Sequence, residues 1–184
     1  LILKTTRMKA IKFFALLLTF SVFTVGVNAQ SKKDRKIISD AKKAKKTLLK
    51  ADSGLQRFFD NSAGYVLFPN VGKGGFIIGG ASGNGVVYEG DTMVGMANLK
   101  KLNVGLQAGG QAIIEIIFFE TSVDLDRFKE GKFQFAAEAS AVALKSGISA
   151  NAKYKEGVAV FALPKAGLMA DASVGGQKFG YKPF

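Results

Sequence analysis

Three runs decide how this chain is read: Gly64-Tyr65-Val66-Leu67-Phe68-Pro69, Gly75-Phe76-Ile77-Ile78 and Gly85-Val86-Val87-Tyr88. Each is a short stretch of β-branched, aromatic or aliphatic residues bracketed by glycine or proline, which is the pattern of strands rather than helices. The same texture continues in Val104–Ala108 and Ala112–Phe119, then in Lys132–Leu144, Gly147–Tyr154, Gly157–Leu163 and Gly167–Val174. Such spacing predicts an antiparallel sheet or barrel. Val123–Glu130 interrupts it as a short helix, with Ser122 as its cap, Asp124 in the first turn and Gly131 past its end. Before the strands, Ser53–Asn61 reads as another short helix that brings Leu55, Phe58 and Phe59 together.

Further toward the N-terminus, Ser31 to Lys50 carries nine basic residues against two acidic ones. Ile37, Ala41, Ala44 and Leu48 recur at helical spacing, Ile38 and Leu49 widen that stripe, and most lysines fall off it. Ser31 is placed to cap this helix, and Asp34 suits the positive end of its dipole. The fold expected is therefore α+β: a β-rich antiparallel sheet or barrel-like domain with a basic amphipathic N-terminal helix and one or two short helices. Residues 30–62 form the basic helical segment and residues 63–184 the β-rich body, with 30–184 as one domain.

The chain has 26 basic and 14 acidic residues. Most of the excess lies in Ser31–Lys50, since the body from Ala51 onward holds thirteen basic residues against twelve acidic ones. A pI near 10 concentrated in one segment argues for contact with an anionic surface rather than for a groove that tracks nucleic acid. A plainer alternative is an amphipathic helix docked on the sheet with its lysines merely solvated. The sparse acids favour the first reading, because a solubility face normally interleaves signs. Each lysine near an anionic bilayer contributes about 1 kcal/mol, so half of the cluster gives on the order of 4 kcal/mol.

Residues 1–29 read as upstream residues and a signal peptide. Met8, Lys9 and Lys12 form a basic start, Ile11 to Val27 is apolar, and cleavage is expected after Ala29. The alternative is an uncleaved N-terminal anchor, and Leu1 to Arg7 read as residues upstream of the true start. The protein is thus expected to be exported, periplasmic or secreted, and peripherally membrane-associated. No cysteine follows the apolar run, so a lipid-modified N-terminus of the lipoprotein kind is excluded, as are disulfides.

With no His, Cys or Trp, the usual general base, thiol nucleophile and soft-metal ligands are missing. No catalytic residue, metal ligand or cofactor is expected. Glu115 stands out in an apolar run, where an isolated carboxylate is costly; a residue facing solvent or paired with a lysine is the reading preferred over a general acid. Asp171 and Glu138 are read the same way. The stretch Lys73 to Gly85 is glycine-rich but is followed by Val86-Val87-Tyr88 instead of a helix, so it fits neither a phosphate loop nor a dinucleotide fingerprint. Tyr65, Tyr88, Phe118 and Phe119 are expected in the core, not on a stacking platform.

Together the runs Gly64 to Pro69, Lys73 to Gly80 and Gly85 to Tyr88 resemble the SYLF domain, a lipid-binding module of bacteria and of eukaryotic actin-patch and endocytic proteins. Two further blocks agree, Val104-Gly105-Leu106-Gln107-Ala108-Gly109-Gly110-Gln111 followed by Ile116-Ile117-Phe118-Phe119, and Gly167 through Phe179. The resemblance implies a β-rich fold with an N-terminal helix, no catalysis, and binding of acidic lipids, phosphoinositides among them, through a basic amphipathic helix. Eukaryotic forms of the domain, including the actin-binding one, are cytoplasmic and joined to SH3 or FYVE modules, so actin is not expected as a partner of an exported chain.

The function expected is non-enzymatic docking on anionic phospholipid membrane. Its candidate contacts are Lys32, Lys33, Arg35, Lys36, Lys42, Lys43, Lys45, Lys46 and Lys50, with Lys73 as a further headgroup contact. The alternative is a structural or partner-binding envelope protein whose helix meets an acidic protein or polysaccharide. Nucleic acid is not expected as a partner.

Overall fold

The computed structural model describes residues 31–72, 80–102, 112–133, 135, 141–165 and 176–184. The leader, Lys73, the expected strands Gly75–Ile78, Val104–Ala108 and Gly167–Val174, and Glu138 and Asp171 lie outside the described residues. The unit described is Ser31–Phe184.

Its elements run α1 (Lys32–Ala51), a 3-10 turn (Ser53–Leu55), α2 (Gln56–Asn61), β1 (Gly64–Gly72), β2 (Gly80–Glu89), β3 (Thr92–Leu102), β4 (Ile113–Phe119), α3 (Ser122–Lys129), β5 (Val142–Ala143), a second 3-10 turn (Ile148–Asn151), β6 (Val158–Pro164) and β7 (Gln177–Pro183). The architecture is α+β. Seven strands form one sheet in the order β5-β6-β4-β1-β2-β3-β7. All pairs are antiparallel except β5 with β6, so the sheet is mixed, and its two outer strands leave it open rather than closed into a barrel.

The central strands are buried on both faces, which explains their near-continuous apolar runs. On one face, Tyr65, Leu67, Val86, Tyr88, Ile114, Ile116, Phe118 and Phe161 pack beneath α1 and α2 through Ile38, Ala41, Ala44, Leu48, Phe58 and Phe59. Val66, Phe68, Val87, Ile117, Phe119 and Val160 point the other way, onto Leu125 and Phe128 of α3 and onto Phe133. Toward this second face the sheet curls. Phe179 of the edge strand β7 comes within ring contact of Phe68, Phe128 and Phe133, and Gln177 reaches β4 across the three intervening strands.

Several expectations are corrected. Gly147–Tyr154 is no strand: Gly147 takes a left-handed turn (φ 77°) into the 3-10 turn Ile148–Asn151, whose Ser149 N–H is held by the Asp52 carboxylate at 2.8 Å. Within Lys132–Leu144 the described strand is only Val142–Ala143. Thr121, not Ser122, caps α3, in a reciprocal box with Asp124. Strands β3 and β7 were not anticipated.

Candidate functional site

α1 is built locally before it is packed. The Ser31 hydroxyl accepts from Asp34 N–H at 3.1 Å while the Asp34 carboxylate accepts from Ser31 N–H at 3.2 Å, closing both ends of a capping box. Between these caps and Asp52 the chain is mostly Lys, Ala, Ile and Leu, broken only by Arg35, Ser39, Asp40 and Thr47, with no glycine or proline, and most of these are good helix formers. The helix stops where Asp52 turns extended (φ −151°) and buries its carboxylate against Gly54 N–H at 3.0 Å and Ser149 N–H at 2.8 Å. Burial works to raise the Asp52 pKa, but the hydrogen bonds from Ser149 and Gly54 outweigh it and hold the carboxyl below the ordinary range. Arg57 donates to the Ser149 carbonyl at 2.7 Å and to that of Ala152, tying the same loop to α2.

Packing then fixes which side of α1 meets solvent. Ile38, Ala41, Ala44 and Leu48 are buried, and Ile37 and Leu49 are partly so. The apolar stripe therefore faces the sheet and is not available for a bilayer. At about 100° per residue, Lys32, Lys36, Lys43, Lys46 and Lys50 share the strip farthest from the sheet, with Arg35 and Lys42 along one flank and Lys33 along the other. All eight are exposed. Lys32, Lys33, Lys42, Lys43, Lys46 and Lys50 form no ion pair with any described residue. Lys36 pairs with Asp40 at 2.6 Å. That hydrogen bond, helped by the charges of Lys36, Lys43 and Lys165, holds Asp40 below the ordinary carboxylate range despite some desolvation.

Lys45 departs from this group. Its side chain turns inward, donates to Tyr65 Oη at 3.2 Å, stands 3.3 Å from Asp91 and lies 4.3 Å above the Phe59 ring. It tethers α1 to the β2–β3 turn rather than facing outward. Tyr65 stacks on Tyr88 with centroids 4.6 Å apart. Burial, then the Asp91 charge, pushes the Tyr65 phenol well above its usual range, and burial with Tyr65 beside it takes Tyr88 up to about 12.

Glu115 does not face solvent and forms no salt bridge with a described residue, contrary to expectation. It is fully buried on the second face, opposite Phe68 of β1 and Ala162 of β6, and accepts from Gln177 Nε2 at 3.1 Å. Burial pushes its carboxyl up to about 7, against the Gln177 hydrogen bond and the Lys101 charge, which pull it down. Among the described residues no group of three or more Asp and Glu side chains is arranged to hold a metal ion. No helix among them is long and apolar enough to cross a membrane.

The chain is similar to Beta cell expansion factor A of Aeromonas veronii. Identity is 29% over 123 residues, which is 66% of this chain and 46% of that protein, so the chain spans about half the length of the curated relative it matches. No family model matches the chain.

What the sequence singled out by charge, the fold thus sorts by direction. Eight of the nine basic residues of α1 face solvent, and the ninth, Lys45, does not. Helical phase separates Lys45 from Lys46: at about 100° per residue, Lys45 lies at the margin of the stripe formed by Ala41, Ala44 and Leu48, and Lys46 nearly opposite it.

Proposed function

We propose that this chain is a SYLF-type, non-enzymatic exported protein that adsorbs to anionic phospholipid membrane through the solvent face of α1. The observation that carries the reading is the orientation of that helix. Its apolar side is covered by the sheet, and its exposed side presents a row of cations in which the one acid, Asp40, is already engaged by Lys36. A helix so placed keeps only the partly covered Ile37 and Leu49 for insertion, so attachment is mainly electrostatic: about 1 kcal/mol per lysine near the surface, falling as salt shortens the Debye length. Support for the SYLF reading comes from the ordered sequence blocks between Gly64 and Phe179 and from the similarity to the Aeromonas protein. Export is proposed from the apolar run Ile11–Val27 and its basic flank.

The test is co-sedimentation of the full mature chain with phosphatidylcholine vesicles with and without phosphatidylglycerol, at low and high salt. Lys42, Lys43, Lys46 and Lys50 are replaced by Glu and Lys45 is left intact, because its loss would disturb the fold. Binding confined to anionic vesicles, weakened by salt and abolished in the variant, is expected. Equal binding to neutral vesicles refutes the proposal. So does binding of the wild type to an acidic polysaccharide or protein but not to vesicles, which is the outcome for an envelope partner protein.

A further inference from the structure

The near-neutral total charge of the body conceals a separation by face. α3 and its surroundings, on the second face of the sheet, hold Glu89, Asp124, Asp126 and Glu130 beside Arg127, Lys129 and Lys132, with signs interleaved and Glu89, Asp126 and Glu130 each paired to a lysine. The other face differs. In β3, Ala97 and Leu99 point into the second core, so Met96, Asn98 and Lys100 point to the side that carries α1, and Met96 packs against the core beneath that helix. In β7, Gln177, Phe179 and Tyr181 turn to the second face, which leaves Lys178, Gly180 and Lys182 beside Lys100, Asn98 and Met96 respectively. β2 completes the surface with Ser82 opposite Lys100 and Asn84 opposite Asn98.

Lys100 and Lys178 are therefore directly opposed across a strand pair, an arrangement that destabilises a sheet. Among the described residues no carboxylate relieves it: the one acid on β2, β3 or β7, Glu89, bonds Lys129 on the far face. Lys100, Lys178 and Lys182 are exposed and form no ion pair with any described residue. Protection of the edge strand against pairing with another chain would account for Lys178 and Lys182. It does not account for Lys100, which sits on an inner strand and gains nothing from facing Lys178.

We infer that Lys100, Lys178 and Lys182 form a second anionic-lipid contact on the β3–β7 rim of the sheet, on the same side as α1. The inference rests on the proposed docking through α1 and deepens it: the membrane-facing side is helix plus rim. A lipid surface fits better than a compact anion. Lys178 and Lys182 are about 13 Å apart along the strand, beyond the reach of one phosphate, and between them Asn98 lies against Gly180, leaving a low polar floor of Asn84, Asn98 and Ser82 without bulky side chains.

The experiment uses the full mature chain and vesicles of phosphatidylcholine with phosphatidylglycerol, with partition measured against salt. Three proteins are compared: wild type, a rim variant (Lys100→Gln, Lys178→Gln, Lys182→Gln) and a helix variant (Lys42→Gln, Lys43→Gln, Lys46→Gln, Lys50→Gln). Each neutralised rim lysine is expected to lower partition roughly fivefold, on the order of 100-fold for three, with a shallower salt slope. A helix variant that loses binding beside a rim variant that keeps it overturns the rim contact and leaves the α1 reading standing. Two unaffected variants overturn both. A rim loss reproduced on neutral vesicles, or on an acidic polymer when wild type ignores vesicles, overturns the choice of lipid. A single Lys178→Glu variant separates function from folding, because it creates an ion pair with Lys100: its urea midpoint should stay level or rise while vesicle partition falls, whereas a purely structural lysine would move neither in opposite directions.

Discussion

Replacing Glu115 by Gln tests the least expected group in the core. Both Glu115 Oε1 and Gln177 Oε1 are buried acceptors without a hydrogen-bond partner among the described residues. One proton on Glu115 changes that, because a carboxylic O–H can donate where a carboxylate can only accept. Burial therefore favours the neutral acid and takes its pKa from 4.5 up to about 7. The sign follows from proton counting. Below pH 4.5 the folded and unfolded chains both hold the proton and the group is silent. Between 4.5 and about 7 the folded state holds a proton that the unfolded state has released, so stability declines as pH rises. Above 7 both are ionised and the loss is complete, at about 3 kcal/mol for a shift of this size.

Glu115→Gln keeps the volume and the acceptor for Gln177 Nε2, adds a donor for Gln177 Oε1 and removes the titration. Urea unfolding of wild type and variant from pH 4.5 to 8.5 is the measurement. Wild type should lose about 3 kcal/mol across the window, a midpoint change on the order of 1–2 M, while the variant holds level and exceeds wild type most at pH 8. The chain has no histidine or cysteine, so no ordinary side chain masks the change between about pH 5.5 and 8. A flat wild-type profile, or a variant that declines in parallel with it, refutes the reasoning.

Two further outcomes probe how α1 is held against the body. Lys45→Gln removes the cation above Phe59 and the link to Tyr65 and Asp91, and should lower stability by about 1–2 kcal/mol in thermal or urea unfolding, while vesicle partition of the folded fraction changes less than for Lys46→Gln. Gly54→Ala places a methyl 2.5 Å from Ser149 Oγ and 3.1 Å from Asp52 Oδ1; about 1–3 kcal/mol should be lost, read by calorimetry, and a neutral result would mean that the Asp52–Ser149 loop moves aside freely.

The fold class was legible because glycine-bracketed apolar runs and the 3.6-residue stripe of α1 are local signals. β3 was missed since Met93, Ala97, Asn98 and Lys100 have little intrinsic strand preference; ladders to β2 and β7 on either side impose the conformation. In β7 Lys178 and Lys182 alternate with Phe179 and Tyr181, but Gly180 and Pro183 weaken the local strand signal. The opposite error occurred at Gly147–Tyr154, where Asp52, distant in sequence, captures Ser149 N–H and favours a 3-10 turn over a strand. For α3 the box Thr121-Ser122-Val123-Asp124 is present in the sequence, but two adjacent hydroxyls compete as caps and only the reciprocal spacing to Asp124 selects Thr121 over Ser122. Glu115 illustrates the harder limit. Its partner Gln177 is brought to it by the curl of the sheet, and neither strand order nor curl is written in any local pattern.

The same curl explains why charge could be read from the sequence while its direction could not. Alternation along a strand assigns each side chain to one of two faces, but only the packing partner says which face is which. Met96 beneath α1 and Leu99 in the second core settle that assignment for β3 and, through register, for β7. Once it is settled, Lys100, Lys178 and Lys182 fall on the helix side and the acid-bearing α3 on the other. A body of nearly balanced charge thereby acquires a cationic side without any further basic residue. In a uniform solution such a separation does little. Against an anionic plane it orients the molecule, since turning α3 toward the surface presents a helix whose Asp124, Asp126 and Glu130 are offset by Arg127, Lys129 and Lys132, while withdrawing the unpaired lysines of α1 and the rim.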